Sequence, residues 1–480
     1  MIPRMKLILL AAVMMLAFLG CTSTNPQRAF DDVDEHVSAR TGYNLRWMRD
    51  DAERSEMESA VDAALQTNLT AQSAVGIALL NNRSLQADFE DIGVSQAELA
   101  QASRLRNPQF EGFWRLPSSG PNVVNAEYSL AQNFLELLTL PARKKIASQN
   151  LEVTKLRIAH QVLTLAEDVK TAFFTMQAGQ QLTNRLGLIV EVNEAAADVA
   201  KRQHDAGNIS ELELQNQQAA YAHARLDLAR AQTQLRADRE KLNRLLGLWG
   251  AQTAWQAAGA LPPLPEKELP VENVEALAVS QRLDLAASRH QVANVQSALK
   301  LKKSVRWLPA VDIGVNAEHE TDHTWLIGPT LSLEIPVFDQ GQAEVARLAS
   351  EYRRAARNFE ALAVNIRSEV RENRDALIAA RDVVEYSQRV LLPQRQRILR
   401  ETLLQYNAMQ LGNAVLLSAK EREALAERES IEALRDYWIA RAELERAVGG
   451  SLNREASSPK PPAPPAKSNS TTPQEQHHQH

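Results

Sequence analysis

The chain repeats its own order of motifs once, about 200 residues further on. Three groups of residues recur in the same order and at nearly the same spacing: Ser103 and Pro108 as Ser304 and Pro309, Ser129-Leu130 and Phe134 as Ser332-Leu333 and Phe338, and Ala206-Gly207-Asn208 as Leu411-Gly412-Asn413. The repeating unit is far longer than the roughly 20 to 50 residues of solenoid repeats. The pattern therefore predicts a duplicated half-protein.

The repeat sets the expected domain limits. The first copy is predicted at residues 70–247 and the second at 272–450, and a proline-containing linker at 248–271 joins them. Residues 451–480 are rich in Pro, Ser and Thr and show no apolar periodicity. A segment of that composition cannot bury enough apolar surface to fold, so it is predicted to be a disordered tail.

The N-terminus has the pattern of a bacterial export signal. Two basic residues precede an apolar run at 7–19, which is too short for a membrane-spanning helix and ends at Gly20-Cys21. Cys21 is the only cysteine, so no disulfide can form within the chain. The pattern resembles a lipoprotein signal, which implies removal of residues 1–20, lipidation of Cys21 and a lipidated leader at 21–69. The alternative is an ordinary secretory signal that is cleaved nearby.

Apolar periodicity, prolines and glycines predict the same order of helices and strands in both halves. In the first half the predicted order is two helices, two strands and two long helices, at 74–80, 85–102, 109–116, 123–134, 142–205 and 210–246. The second half repeats this order at 274–279, 285–305, 311–318, 325–337, 342–409 and 414–447. A polar leader at 22–54 precedes these elements.

Apolar residues recur every seven positions in the long helices, for example at Leu151, Ile158, Leu165 and Ala172. A strict seven-residue period is typical of left-handed coiled-coil packing. Each pair of long helices is therefore predicted to form an antiparallel hairpin. The turns are predicted at Gly207 and Gly412, because glycine adopts a left-handed conformation at little cost.

The predicted strands of the second half alternate between apolar and polar residues. The apolar positions are Val311, Ile313, Val315, Ile327, Leu331, Leu333 and Ile335. One face of these strands is apolar and the other carries charges, and each strand is about long enough to cross a bilayer when tilted. We therefore interpret the apolar face as lipid-facing. The alternative is a soluble sheet with one face buried.

The bulk charge and the motif content exclude several classes of function. Lys and Arg total 54 and Asp and Glu total 59, and the two signs are interleaved, so there is no basic stripe that would indicate a nucleic-acid partner. The chain contains no phosphate-binding loop and no nucleophile-elbow motif. We therefore predict neither an enzymatic activity nor a cofactor.

The turns and strands together resemble the TolC-like outer-membrane factors of tripartite efflux systems. The resemblance spans about residues 70–450 and rests on motifs in both halves: Asn107-Pro108-Gln109-Phe110, Leu308-Pro309-Ala310-Val311, Leu333-Glu334-Ile335-Pro336-Val337-Phe338-Asp339-Gln340-Gly341, Ala206-Gly207-Asn208-Ile209-Ser210-Glu211-Leu212 and Leu245-Leu246-Gly247. It implies a mainly α fold with a small β part, in which long antiparallel helical hairpins form a tunnel. Four transmembrane strands per chain would be pooled in a homotrimer as a twelve-stranded barrel.

The resemblance also implies a function and partners. The chain would be a passive exit duct in the bacterial outer membrane, lipid-anchored and extending into the periplasm. It would receive substrates such as metal cations or drugs from an inner-membrane pump and a periplasmic adaptor. The lipoprotein signal and Ala78-Leu79-Leu80-Asn81-Asn82 resemble the branch served by resistance-nodulation-division pumps, with the heavy-metal group as one candidate. The alternative function is a non-conducting periplasmic coiled-coil lipoprotein with a structural role.

In this family the hairpin tips close the tunnel and dock the adaptor, which here implies roles for Gly207, Asn208, Gly412 and Asn413. The acidic gate position of the family falls on Glu213, and Asp205 is a second acidic candidate. The Tyr and Arg positions of the family's charge lock are occupied by Met409 and Ala414, so that particular lock is missing.

Two groups of histidines are candidate metal ligands. His319 and His323 lie in the loop between the third and fourth strands, and the other group is His477, His478 and His480 at the C-terminus. Imidazole binds Zn²⁺ or Cu²⁺, but an exposed loop or tail offers no second shell to orient the ligands. We therefore predict no metal site.

Overall fold

The computed structural model describes residues 23–116, 118, 124–267, 271–308 and 311–452. The first half begins with four helices: α1 Gln27–Thr41, α2 Asp51–Leu65, α3 Ala71–Asn81 and α4 Arg83–Ala102. Two strands and two long helices follow: β1 Gln109–Arg115, β2 Asn125–Asn133, α5 Phe134–Asp205 and α6 Glu211–Leu246.

The second half repeats the order of α3 to α6. Its elements are α7 Val274–Gln281, α8 Leu283–Val305, β3 Val311–His319, β4 Trp325–Leu333, α9 Gln342–Tyr386, α10 Leu392–Asn407 and α11 Asn413–Val448. A short 3₁₀ turn, Gly250–Thr253, lies in the linker between the halves. The predicted mainly helical fold with a small antiparallel sheet is confirmed.

The strands form one antiparallel sheet in the order β1-β2-β3-β4. The two halves therefore meet at the central β2–β3 pair, where Asn133 lies opposite Asp312. Below the sheet, α5 and α6 pack as one antiparallel hairpin, and α9 and α10 pack against α11 as the other. Among the residues that the structure describes, none of the helices combines the length and apolar composition of a membrane span.

The buried residues of the hairpins follow the predicted seven-residue period. In α5, Ile158 and Ala172 are buried on the predicted seam, with Val162 and Val169 beside them. In α9 the buried positions Val370, Leu377 and Val384 are also seven residues apart. Packing of such apolar stripes supplies most of the stability of helices in proteins.

In each half the end of the last helix contacts the break between the first two helices, and we call this contact the joint of that half. The two joints are equivalent, which supports the duplication. The helical breaks at Asn82 and Arg282 have nearly the same backbone angles, φ −66° and ψ 113° against φ −64° and ψ 123°. Gly247 and Gly449 end the last helix of each half, with φ of +68° and +94°. A Cβ on Gly247 would lie 2.4 Å from the carbonyl oxygen of Asn81, so glycine is required there.

Two predicted helix bounds are wrong. The helix α5 begins at Phe134, directly after β2, because the Asn133 side chain caps it and accepts a hydrogen bond from the Glu136 N–H at 3.1 Å. The predicted continuous helix at 342–409 is interrupted by a π-helical turn, Ser387–Leu391, which ends two residues before Pro393. A proline lacks the N–H that a continuous α-helix would use, and the wider turn accommodates it.

The polar leader contains a helix that was not predicted. Its helix α1 buries Phe30, Val33 and Val37 in the same core as α4 and α5. These residues have helical spacing, which was the available signal for this element. At the other end, Ser451 donates its N–H to the carbonyl of Arg40 at 3.0 Å, and Leu452 is buried.

Several predictions fall outside the described residues. They are the signal peptide at 1–20, the lipidation of Cys21, the remainder of the predicted tail from residue 453, and its histidines His477, His478 and His480.

Candidate functional site: the sheet and the helical tips

The pairing register places the apolar strand residues on one face of the sheet. Residues directly opposite each other on antiparallel strands share a face. The shared pairs on this face are Phe110 with Leu130, Leu130 with Val315, Ile313 with Leu331, Val311 with Leu333 and Ala317 with Ile327. All six residues of β3 and β4 that were predicted to be lipid-facing lie on this face.

No segment of the described part of the chain covers this apolar face. Phe110, Trp114, Ile327 and Leu331 are each more than 60% exposed, and Ile313, Val315 and Leu333 are each about half exposed. Burying one such side chain is typically worth about 1.5–3 kcal/mol. A contiguous surface of this kind marks an interface with a protein or a membrane.

The seventh predicted lipid-facing residue, Ile335, does not belong to a strand. The strand β4 ends at Leu333, so the prediction of a strand to residue 337 is wrong. Ile335 and Val337 remain highly exposed after the strand. The N–H of Val337 donates to the Ile335 carbonyl at 2.8 Å. The chain therefore makes a tight turn at Pro336 and does not continue the hydrogen-bonded pairing with β3.

The opposite face of the sheet carries polar and charged residues that bond across the strands. Asn125 donates to Glu318 at 2.9 Å, and Asn316 donates to Glu127 at 2.7 Å. Arg115 forms a 3.1 Å ion pair with Glu127 on the neighbouring strand. Three strands are thus linked by side chains on this face, although Phe113 and Leu326 also project from it.

The first helical tip turns at Gly207, as predicted. Gly207 has φ +74° and donates its N–H to the His204 carbonyl at 2.8 Å, while the Asn208 N–H donates to the Gln203 carbonyl at 2.8 Å. This pair of bonds is the Schellman ending of a helix. The His204 side chain crosses the turn and places Nε2 3.1 Å from Glu211 Oε2.

The second helical tip does not turn at Gly412, and that prediction is wrong. Met409 takes the left-handed conformation, with φ +57°, and donates its N–H to the Tyr406 carbonyl at 2.9 Å. Gly412 has φ −81° and stands at the N-cap of α11, with Asn413 as its first residue. Gly207 therefore corresponds to Met409, and Ser210 corresponds to Gly412.

The two gate candidates lie at the first tip and are exposed. Glu213 is in the first turn of α6, where its N–H donates to the Ser210 side chain at 3.2 Å. Asp205 is the last residue of α5, and its Oδ1 lies 3.7 Å from His204 Nδ1. A gate role for either carboxylate stays a prediction, and so does adaptor docking at the tips.

An ionic contact between the two hairpins was not visible in the sequence. Arg185 of α5 lies 3.6 Å from Glu427 of α11, and the buried Glu423 lies one turn away and pairs with Lys420 at 2.8 Å. Burial raises the pKa of the Glu427 carboxyl, the neighbouring Glu423 adds to the rise, and Arg185 opposes it. Nothing in the local sequence connects Arg185 with Glu427.

The structure brings His319 and His323 together. Their ring centroids are 5.8 Å apart, and Trp325 lies 5.0 Å from His319. Within the described ranges, no group of three or more His, Cys, Asp or Glu residues could hold a metal ion.

The tip geometry gives a prediction that separates Met409 from Gly412. Replacing Met409 with glycine should stabilise the tip by about 1 kcal/mol, because a side chain in the left-handed region is strained. Replacing Gly412 with serine should stabilise it by a few tenths of a kcal/mol, because serine is a better N-cap than glycine. Amide hydrogen exchange at residues 405–415 measures both changes. Destabilisation by Gly412→Ser would show that Gly412 is the turn residue after all.

Comparisons with known proteins agree with this geometry. Residues 74–248 match the family model described as outer membrane efflux protein. The chain is 21% identical over 385 residues to the cobalt-zinc-cadmium resistance protein CzcC of Cupriavidus metallidurans, covering 79% of this chain and 90% of CzcC. It is 22% identical over 421 residues to the toluene efflux pump outer membrane protein TtgC of Pseudomonas putida, covering 82% of this chain and 83% of TtgC.

A solved structure with the same fold is that of CusC, with a TM-score of 0.66 at 17% sequence identity. The similarity covers 80% of this chain and 93% of CusC. These similarities agree with the duplicated order of strands and helices and with the two distinct faces of the sheet. The chain contains an outer membrane efflux protein domain, and it is homologous to CzcC and TtgC.

Proposed function

We propose that the chain is the outer-membrane exit duct of a tripartite efflux pump and conducts its substrates passively. The observation that carries the proposal is the sheet, which has one exposed apolar face and one hydrogen-bonded polar face. An apolar exterior and a polar interior are the two surfaces that a transmembrane barrel needs. The long hairpins below the sheet supply the periplasmic part of the duct.

The proposal requires more than one copy of the chain, and the resemblance to TolC-like factors implies three. Four strands cannot close a barrel, since transmembrane barrels begin at eight strands. Among the residues that the structure describes, the outer edges of β1 and β4 have no strand partner within the chain. In a membrane every backbone polar group must be bonded within the protein, so an open edge cannot face lipid. Three chains joined edge to edge would give a closed twelve-stranded barrel.

The alternative function, a non-conducting periplasmic brace, leaves the apolar face unexplained. A soluble sheet would bury this face against a second layer, yet Ile327 is 72% exposed and Leu331 is 64% exposed. No helix of the described residues covers them. Insertion of this face into lipid accounts for its exposure.

The remaining parts of the proposal concern the anchor, the partners and the cargo. Lipidation of Cys21 would hold the chain at the outer membrane, and the tips would meet a periplasmic adaptor that connects to an inner-membrane pump. The names of the relatives refer to metal cations for CzcC and to toluene for TtgC. Because the identity to both is similar, we propose efflux without choosing between these cargoes.

The mass of the purified mature chain in mild detergent tests the assembly. The expected particle contains three chains, and it should persist at the lowest concentration that can be measured. A monomer in every detergent would contradict the proposed duct, because one chain has too few strands to enclose a pore.

A further inference from the structure

A group of lysines below the sheet has no acidic partner among the described residues. Lys144, Lys145, Lys300 and Lys303 lie in α5 and α8, and none of them forms an ion pair with a described carboxylate. The carboxylates nearby in sequence are engaged elsewhere: Glu136 pairs with Arg106, and Glu344 pairs with Arg347. These four lysines are named the basic collar below.

The helical register brings two members of the basic collar to the same level. The side chain of Asn294 in α8 hydrogen-bonds that of Asn150 in α5. The two helices run in opposite directions, because β2 leads into α5 and α8 leads into the adjacent β3. Lys300 follows Asn294 by six residues and Lys144 precedes Asn150 by six, so the two lysines lie side by side.

Both lysines project from the face of the helical layer that α1 covers further down. Lys155 marks this face, because its Nζ lies 2.8 Å from Asp32 of α1. Lys144 precedes Lys155 by eleven residues, which is three helical turns. Arg157 and Gln291 line a groove on the opposite face of the layer. Lys300 is two and a half turns from Gln291, so it projects from the other side of α8, which is the face that Lys155 marks. Lys303, three residues beyond Lys300, shares its side of α8.

Exposed apolar residues lie between the basic collar and the sheet. Leu137 precedes Lys155 by five turns and is therefore on the same face, and it is 45% exposed. Trp307, at about the same level, is 54% exposed, and the Arg306 guanidinium lies 4.5 Å from its ring centroid. Lys144 is about 10 Å further from the sheet than Leu137. With increasing distance from the sheet, apolar and aromatic residues come first and lysines follow. This is the order expected at a membrane–water interface.

We propose that the basic collar binds the anionic phosphate headgroups of phospholipids in the periplasmic leaflet of the outer membrane. The inference rests on the proposed function, because it needs the apolar face of the sheet to be inserted in that membrane. The collar lies at the depth of the headgroups, which extend several ångströms beyond the hydrocarbon core. Its unpaired charges would attract anionic lipid and hold the barrel at a fixed depth.

Native mass spectrometry of lipid bound to the purified trimer tests the collar. The protein in mild detergent is mixed with equal amounts of phosphatidylglycerol and phosphatidylcholine. The expected result is a preference for phosphatidylglycerol that falls as salt rises. The variant carries Lys144→Gln, Lys300→Gln and Lys303→Gln together. Each of the three substitutions should reduce the preference for phosphatidylglycerol about fivefold. The matched control is Lys201→Gln with Arg202→Gln and Lys241→Gln, which removes three exposed cations far from the sheet and should leave the preference unchanged.

Three results from the variant and competition experiments would overturn the collar, and a fourth comes from the wild-type trimer. One is an unchanged preference in the triple lysine variant. Another is displacement of phosphatidylglycerol by an equal concentration of inorganic phosphate, which would indicate a free-anion site. The third is loss of the trimer in the triple variant with the lipid preference of the remaining trimer intact, which would place the lysines at the contact between chains. A wild-type trimer that conducts but shows no lipid preference would reject the collar and leave the duct standing. A chain that neither assembles nor conducts would reject the duct itself.

Discussion

Replacing Arg282 with alanine should lower the free energy of unfolding by about 3 kcal/mol, because it leaves the partly buried carboxylate of Asp284 without a cation and that of Glu369 with one partner fewer. The Arg282 side chain is only 5% exposed and makes a two-pronged contact with Asp284, at 3.0 and 2.7 Å. It also donates to Glu369 at 2.5 Å and to the Ala447 carbonyl at 3.3 Å. One guanidinium therefore connects α8, α9 and α11 at the joint of the second half.

The effect of Arg282 should exceed that of an ordinary ion pair because the network continues. Arg446 contacts the other oxygen of Glu369 at 2.7 Å and lies 3.3 Å from Glu167 in α5. The equivalent joint of the first half is neutral, since the Asn82 side chain bonds the Leu245 carbonyl at 2.9 Å. Only the second joint should thus respond strongly to loss of a charge.

Chemical unfolding of the purified chain in detergent measures the change. The control is Arg371→Ala, because Arg371 is 52% exposed and its pair with Glu275 spans 3.3 Å. An exposed pair of this kind contributes about 1 kcal/mol or less. Adding Asp284→Asn to Arg282→Ala should recover part of the loss, since it removes the carboxylate that is left without a cation. Equal stability of the Arg282 and Arg371 variants would refute the role of the joint.

Replacing Leu331 with arginine should prevent the sheet from entering the membrane. Leu331 lies on the exposed apolar face, opposite Ile313. An arginine on the lipid face of a barrel costs about 2–4 kcal/mol at the bilayer midplane. Three chains would each carry this cost, so the assembled trimer should be almost absent from the outer-membrane fraction of cells.

The matched control for Leu331 is its neighbour, Ser332→Arg. Ser332 is also exposed, but it projects from the polar face and lies opposite Asp312. An arginine there meets a carboxylate and avoids lipid, so the trimer should assemble at close to the wild-type level. If both arginine variants assembled equally well, the apolar face would not be a lipid-facing surface.

The sequence predicts the fold well where a short period carries the information. The seven-residue stripe through Ile158 and Ala172 and the two-residue alternation through Ile313 and Val315 both repeat over many residues. One misplaced residue does not alter such a pattern. The hairpins and the two faces of the sheet could therefore be predicted from the sequence.

Single positions with two possible roles were harder to predict. Glycine suits both a left-handed turn and a helix N-cap, and at the second tip Gly412 is the N-cap while Met409 makes the turn. The spacing from Gly207 to Met409 equals that from Gly247 to Gly449, so a constant offset was the better guide. The end of β4 was misplaced in the same way, because the alternation continues through Ile335 after the ladder has ended.

Contacts between distant residues left no mark in the sequence. Arg282, Glu369 and Arg446 are ordinary charged residues of amphipathic helices until the fold brings them together. The same holds for Arg185 and Glu427 between the hairpins. Such contacts depend on the packing of whole helices, which local periodicity does not specify.

Single-channel recording of the purified chain in a planar lipid bilayer tests the central claim most directly. The duct proposal predicts discrete conductance steps from wild-type protein and from Ser332→Arg, and none from Leu331→Arg, which cannot insert. Absence of conductance from a wild-type trimer that is shown to be inserted, under every condition that opens the tips, would contradict the proposal. It would favour the structural role instead.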